Sequence, residues 1–270
     1  MTRDASRPSM ETSGASGPGG LFSLEGKRAL VTGAGRGLGR AMAEALALGG
    51  AAVVCAGSRR SSTDGTAAAI RALGREAWQV EGDLASREAT LAMADDAERQ
   101  AGPIDILVNN AGTIERFPAT ELPVEAWDRV LHTNLDAAFL LCQHFGRGMV
   151  ARGSGKIINV ASLLSFSGGI NVAAYTASKH AVAGVTKALA NEWASAGVQV
   201  NAIAPGYFAT DNTQQLRENA PRYREISARI PAGRWGEPSD LAGAVVFLAS
   251  RASDYVNGHV LVIDGGWMAR

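Results

Sequence analysis

Residues 27–39 read KRALVTGAGRGLG. The apolar run 27–32 predicts a short buried strand, and it passes directly into Gly33-Ala34-Gly35-Arg36-Gly37-Leu38-Gly39. Apolar positions at Leu38, Met42, Ala45 and Leu46 then predict a helix, stopped by Gly49-Gly50. Strand, glycine turn and helix together form a phosphate site, because glycines let the backbone approach an anion that the helix N-terminus attracts. The glycines fall at Gly33, Gly37 and Gly39, a G-x-x-x-G-x-G spacing; in G-x-G-x-x-G the third would stand at Leu38. This setting points to dinucleotide binding, with Gly33, Gly35, Arg36, Gly37, Leu38 and Gly39 as the candidate cradle.

The same alternation continues along the chain. Strands are expected near 51–56, 77–80, 104–108, 156–161, 199–204 and 260–263, and helices near 63–73, 86–101, 125–149, 175–196 and 238–250. Alternating strands and helices call for an α/β fold: a single-domain, Rossmann-type, doubly wound parallel sheet of about seven strands with helices on both faces. Ligands of such sheets bind outside the carboxyl ends of the strands. Asp83, Asn109 to Gly112 and Ser162 all fall at that edge, which argues for one site. Residues 207–234 break the alternation with a polar, arginine-rich stretch directly after a strand end, where a substrate lid would lie. Residues 1–20, rich in Ser, Gly and Pro, read as a disordered tail, leaving 21–270 as one domain.

The strand at 51–56 ends in Gly57-Ser58-Arg59-Arg60, with no acid at its tip. A carboxylate there would bind ribose hydroxyls and repel a 2′-phosphate, whereas Ser58, Arg59, Arg60 and Arg36 can bind one. The expectation is therefore NADP in preference to NAD.

Residues 162–179, SLLSFSGGINVAAYTASK, carry the chemistry. On a helix, Tyr175 and Lys179 share one face at i,i+4. A lysine cation beside a phenol favours the phenolate and is expected to lower the tyrosine pKa, making an acid–base group. Ser162 can hold the reacting oxygen. Asn134, flanked by apolar residues, reads as a buried structural amide.

Composition bounds the partners. The 270 residues are 46% hydrophobic and 19% charged, and the formal net charge is zero. Electrostatic binding to nucleic acid or a membrane surface is not expected, nor is a metal site, since no His/Cys cluster has ligand spacing. No apolar run approaches the length of a membrane span. Cys55 and Cys142 lie in apolar contexts, and free buried thiols suit a cytoplasmic location.

Thr32-Gly33-x-x-x-Gly37-x-Gly39, Asn109-Asn110-Ala111-Gly112, Asn134, Ser162, Tyr175-x-x-x-Lys179 and Pro205-Gly206 together resemble the short-chain dehydrogenase/reductase family, over about residues 21–270. In its last third, APGYFATDNTQQL (204–216), RIPAGRWGEPSDL (229–241) and SDYVNGHVLVIDGGWMAR (253–270) are most similar to the family's sugar-acid members, the deoxygluconate and gluconate dehydrogenases. The resemblance implies an NAD(P)-dependent enzyme that interconverts an alcohol and a ketone, assembled as a homotetramer. It implies that Tyr175 is the acid–base, that Lys179 lowers its pKa and bonds the nicotinamide ribose, and that Ser162 positions the substrate oxygen. Asn134 would hold a water joining Lys179 to solvent. Asp83 would approach the adenine, Asn110, Ala111 and Gly112 the adenosine side, and Phe208 and Thr210 the nicotinamide carboxamide, with Leu84, Pro205 and Gly206 as further cofactor contacts. A sugar acid needs a cation for its carboxylate; Arg116 is the first candidate and the lid arginines follow, with Gln214 as a further substrate contact. The alternatives are a reductase of 3-oxoacyl thioesters or other carbonyls in the same family and, from another class, a non-catalytic cofactor sensor.

Overall fold

The computed structural model describes residues 18–270. The expected tail 1–20 lies mostly outside them, and its last three residues belong to a short helix, α1 (Pro18–Leu21). Seven strands follow: β1 (Arg28–Thr32), β2 (Ala52–Gly57), β3 (Ala77–Glu81), β4 (Ile106–Asn109), β5 (Gly155–Val160), β6 (Val198–Pro205) and β7 (Val260–Ile263). All pair in parallel, in the order β3-β2-β1-β4-β5-β6-β7. The central strands are apolar without alternation because both of their faces are covered. Strand order reverses between β1 and β4, so the loops that follow them diverge and open a crevice at the carboxyl edge.

One face of the sheet packs on α2 (Gly37–Leu48), α3 (Asp64–Ala72) and α10 (Ala242–Ala249), with Met42, Leu46, Ile70 and Val245 in its core. The other packs on α4 (Arg87–Ala101), α6 (Ala137–Arg152) and α7 (Ala173–Trp193), through Met93, Leu141, Phe145 and Leu189. Ser86 caps α4 by accepting from the Ala89 amide at 3.2 Å, as its sequence position implies. The long helix expected near 125–149 is two helices, α5 (Val124–Leu131) and α6, joined by a π turn at His132–Asp136. The extra residue of that turn carries Asn134, and π turns inside helices frequently mark functional positions.

The polar stretch after β6 contains two short helices, α8 (Gln214–Glu218) and α9 (Ala220–Arg229). Asn219 starts α9 by accepting from the Arg222 amide at 3.1 Å. Beneath them Ile226, Ile230 and Trp235 form a small core of their own with Tyr207, Leu216 and Trp267.

A buried amide network ties the strands to α7. Asn109 donates from Nδ2 to Asn159 Oδ1 at 2.9 Å, and Asn159 donates to Thr186 Oγ1 at 2.9 Å. Removing Asn159 takes away two buried hydrogen bonds and leaves Asn109 Nδ2 only its longer contacts with the Ala138 carbonyl and Cys142 Sγ, so Asn159→Ala is expected to lose about 2 kcal/mol of stability. A clear fall in the thermal midpoint checks it; an unchanged midpoint would show that the network is dispensable.

Candidate active site

The crevice at the carboxyl edge is one continuous cavity of about 1010 Å³. At one end, Gly33, Gly35, Arg36, Gly37, Leu38 and Gly39 line it, as the glycine spacing predicts. Gly33 (φ 64) and Gly37 (φ 54) adopt the left-handed conformation that lets the chain turn from β1 into α2. Gly39 serves close packing instead, because a Cβ there would collide with the Gly33 carbonyl oxygen and with Asn110 Nδ2. It therefore lets the turn close against the loop after β4. No side chain caps α2, and no acid occupies its first turn. Its leading amides thus face the cavity ready for an anion, which is the donor set a dinucleotide pyrophosphate requires.

Thr32 locks this turn to the next strand. Its hydroxyl accepts from the Asn110 and Ala111 amides, each at 3.0 Å, and Asn110 Nδ2 donates to the Thr32 carbonyl at 2.8 Å. Asn110, Ala111 and Gly112 line the cavity, as do Ser58, Asp83, Leu84, Pro205, Gly206 and Thr210. Arg59 and Arg60 do not. The 3-10 turn Arg60–Thr63 carries Arg60 toward Asp96 of α4, 3.5 Å away, so the expected 2′-phosphate contacts reduce to Ser58 and Arg36. Arg36 itself pairs with Asp211 of the lid at 2.8 Å. Phe208 is a second correction: its side chain is buried in the core against Gly236, outside the main cavity. Gln214 also stands outside, bonded to Glu218 on the exposed face of α8 at 2.7 Å.

Ser162, Tyr175, Lys179 and Arg116 meet at the other end. The Ser162 hydroxyl accepts from the Leu164 amide at 3.1 Å, which fixes the oxygen and leaves its proton free to donate. Lys179 is buried and donates to the Val160 carbonyl at 2.6 Å, with its ammonium 5.6 Å from the Tyr175 ring centroid. Asn134 lies behind them rather than in the cavity wall. Its amide accepts from the Thr113 amide at 2.8 Å and donates to the Thr113 carbonyl at 2.9 Å and to Ser178 Oγ at 3.1 Å.

The phenol departs from expectation. Burial raises the Tyr175 pKa, and the hydrogen bond with Ser162 and the positive field of Arg116 only partly oppose that rise. Spacing at i,i+4 brings Lys179 alongside the ring, but the same packing strips both groups of water. Burial also brings the Lys179 ammonium down to about 8.

The family profile described as Enoyl-(Acyl carrier protein) reductase matches residues 33–268. The chain belongs to the short-chain dehydrogenase/reductase family. Within it, the chain is 55% identical over 251 residues to the 2-dehydro-3-deoxy-D-gluconate 5-dehydrogenase of Bacillus subtilis, covering 92% of this chain and 97% of that protein. A Beutenbergia cavernae protein assigned as an NAD(P)-dependent gluconate 5-dehydrogenase, solved with NADP at low occupancy, is 52% identical at a TM-score of 0.90, covering 93% and 100% of the two chains. A Burkholderia cenocepacia gluconate 5-dehydrogenase, solved with NADP and tartrate, is 41% identical with a TM-score of 0.90, over 93% and 99%. Among the described residues of this family member, no helix is long and apolar enough to cross a membrane.

Sequence reasoning passed over Trp267, Met268 and Arg270, which line the cavity. The sequence signals for them were the similarity of the whole stretch 253–270 to the sugar-acid members and the Asp264-Gly265-Gly266 turn within it.

Lys179 makes stability depend on pH. Its folded pKa of about 8 lies below the ordinary value of 10.5, so between these pH values the unfolded chain binds more protons and stability rises with pH. The shift corresponds to about 3 kcal/mol, a penalty fully present below pH 8 and gone above about 10.5. Comparing thermal midpoints of the parent and Lys179→Met at pH 7 and pH 10 should show the parent gaining on the variant as pH rises. A constant difference would mean that Lys179 is not desolvated.

Proposed function

We propose that the enzyme interconverts a secondary alcohol and a ketone on a sugar acid of the gluconate or deoxygluconate type, with NADP preferred to NAD. The observation that carries this reading is the meeting of Ser162, Tyr175 and the Arg116 cation at one end of the cavity whose other end is the uncapped, glycine-lined α2 terminus. The B. subtilis relative and the two NADP-bound structures support both the substrate class and the cofactor.

The cofactor would lie with its pyrophosphate at Gly33 to Gly39 and its adenosine between Ser58, Asp83 and Asn110 to Gly112. Ser58 and Arg36 would meet a 2′-phosphate. A bound nicotinamide supplies or takes up the hydride. Tyr175 carries the proton: with its pKa raised, the phenol is protonated at neutral pH and suited to protonate the oxygen of a ketone being reduced. Oxidation needs the phenolate, so its rate should climb through the alkaline range. Ser162 directs its free proton at the same oxygen. Both contacts strengthen as charge grows there, so they act on the transition state more than on the bound substrate. Lys179 adds a cation behind the tyrosine, and Asn134 holds the π turn against Thr113 and the Ser178 hydroxyl, keeping the Lys179 helix in register. Arg116, close enough to act on the phenol, offers the first counter-charge for a carboxylate.

Residues 207–234 would act as the lid of a single domain spanning 21–270. Leu91 on α4 and Phe139 and Val150 on α6 are exposed apolar side chains of the kind a homotetramer would cover. Burial raises both free thiols to about 12, leaving them inert, in keeping with a cytoplasmic protein.

A substrate panel tests the reading. Gluconate, 2-deoxygluconate, 5-ketogluconate and a 3-oxoacyl thioester would be assayed with each cofactor. Turnover of a sugar acid with a lower Michaelis constant for NADP is expected; activity on the thioester alone would discard the substrate class. Tyr175→Phe should lower turnover by about 10³-fold while leaving cofactor affinity unchanged. Near-normal turnover in that variant would remove Tyr175 from the mechanism.

A further inference from the structure

Charge is distributed unevenly around the cavity. Among its described lining residues the acids are Asp83, near the β3 edge, and Asp211, already paired with Arg36. The same cavity is lined by Arg116 and Lys179 and, from the lid and the segment after β7, by Arg222, Arg229 and Arg270. Arg222 is partnered by Glu225 at 2.6 Å. No carboxylate pairs with Arg116, Arg229 or Arg270 among the described residues.

Arg229 is held in a defined pose. Its guanidinium lies over the Trp267 ring, 4.0 Å from the centroid. Trp267 in turn packs on Tyr207 at 4.6 Å, and Tyr207 on Trp235 at 5.3 Å, so the platform is rigid. A guanidinium stacked flat presents its N–H groups at the edge, where a planar carboxylate can meet two of them at once. Because stacking already orders the side chain, less freedom is lost when the anion arrives. Arg270 joins the cluster by donating to the Ala228 carbonyl at the end of α9, at 2.6 Å.

We infer that Arg229, stacked on Trp267, and Arg270 form a second anion-recognition point, separate from Arg116, that grips the acidic end of the substrate from the lid side. The inference rests on the sugar-acid reading and assigns specificity to the segment after β7. This segment senses the charge of the substrate and takes no part in the proton transfer. Ala232 donates to the Gly265 carbonyl at 2.9 Å and Pro231 packs on Gly266, so lid and segment are joined there. A substrate anion held at Arg229 would therefore keep the lid over the reacting carbon.

The test compares a 5-keto aldonate with its neutral carboxamide in the cofactor-loaded enzyme, for the parent, Arg229→Gln, Arg229→Lys and Arg270→Gln. The carboxamide is read as an inhibition constant against the acid, so it need not react. Losing a charge-assisted pair should raise the Michaelis constant for the acid about tenfold in Arg229→Gln and in Arg270→Gln. The carboxamide constant should stay within about twofold, and Arg229→Lys, which keeps the charge and loses the fork, should fall between. Equal shifts for acid and carboxamide would mean a structural role only and overturn the inference, as would no shift at all. If the parent turns over no sugar acid, the substrate class fails and the inference with it; turnover with an unchanged acid-to-amide ratio discards the inference alone.

Discussion

A single buried cation constrains much of this site. Lys179 holds its ammonium in the interior against the Val160 carbonyl. Burying an unpaired charge is among the most unfavourable things a fold can do, and it persists only where the surroundings fix it. Here the surroundings are β5, which presents the carbonyl, and α7, which presents the lysine. Ser165 joins the two, donating from its hydroxyl to the Lys179 carbonyl at 2.7 Å while accepting from the Ser162 amide at 3.3 Å. The turn that aims Ser162 and the helix that aims Tyr175 and Lys179 are therefore one hydrogen-bonded unit. A shift of α7 would disturb all three groups together.

The same desolvation governs the tyrosine. In water a neighbouring cation would dominate the phenol; inside the fold, removal of solvent outweighs it, and the pKa moves up. The arrangement favours a proton donor. It also makes the buried Lys179 cation matter more, because it acts there through a medium of low dielectric. A protonated phenol at the centre of the site can give its proton to a developing alkoxide and take one back in the reverse direction.

Much of the architecture was legible in the sequence, for identifiable reasons. Parallel strands buried on both faces read as apolar runs, so β1, β2 and β4 stood out at nearly their observed bounds. The glycine turn was legible because positive φ at Gly33 and Gly37 demands that residue type. The misses share a cause: each depends on where a side chain points after tertiary packing. Arg60 follows its 3-10 turn toward Asp96, Phe208 turns into the core, and Gln214 takes the outer face of α8. Proximity of Tyr175 and Lys179 followed from helical spacing, whereas their shared burial did not. The π turn at Asn134 has no periodic signature, since it inserts one residue into an otherwise helical run.

The wall formed by Trp267 and Arg270 was the least legible part, and physically the reason is long range. The Asp264-Gly265-Gly266 run marks a turn, with Gly265 at φ 64 and Gly266 at φ 92, but nothing in the local sequence shows that the turned segment meets α9. Their left-handed conformations are required there, and a Cβ on Gly265 would stand 2.9 Å from Ile230. Two small residues thus decide whether an indole reaches Arg229. Because the lid and the segment after β7 are braced on each other, neither can be placed without the other. On the proposed reading, substrate selection would belong to a contact between two distant stretches of chain, whereas Ser162, Tyr175 and Lys179 come from one short stretch.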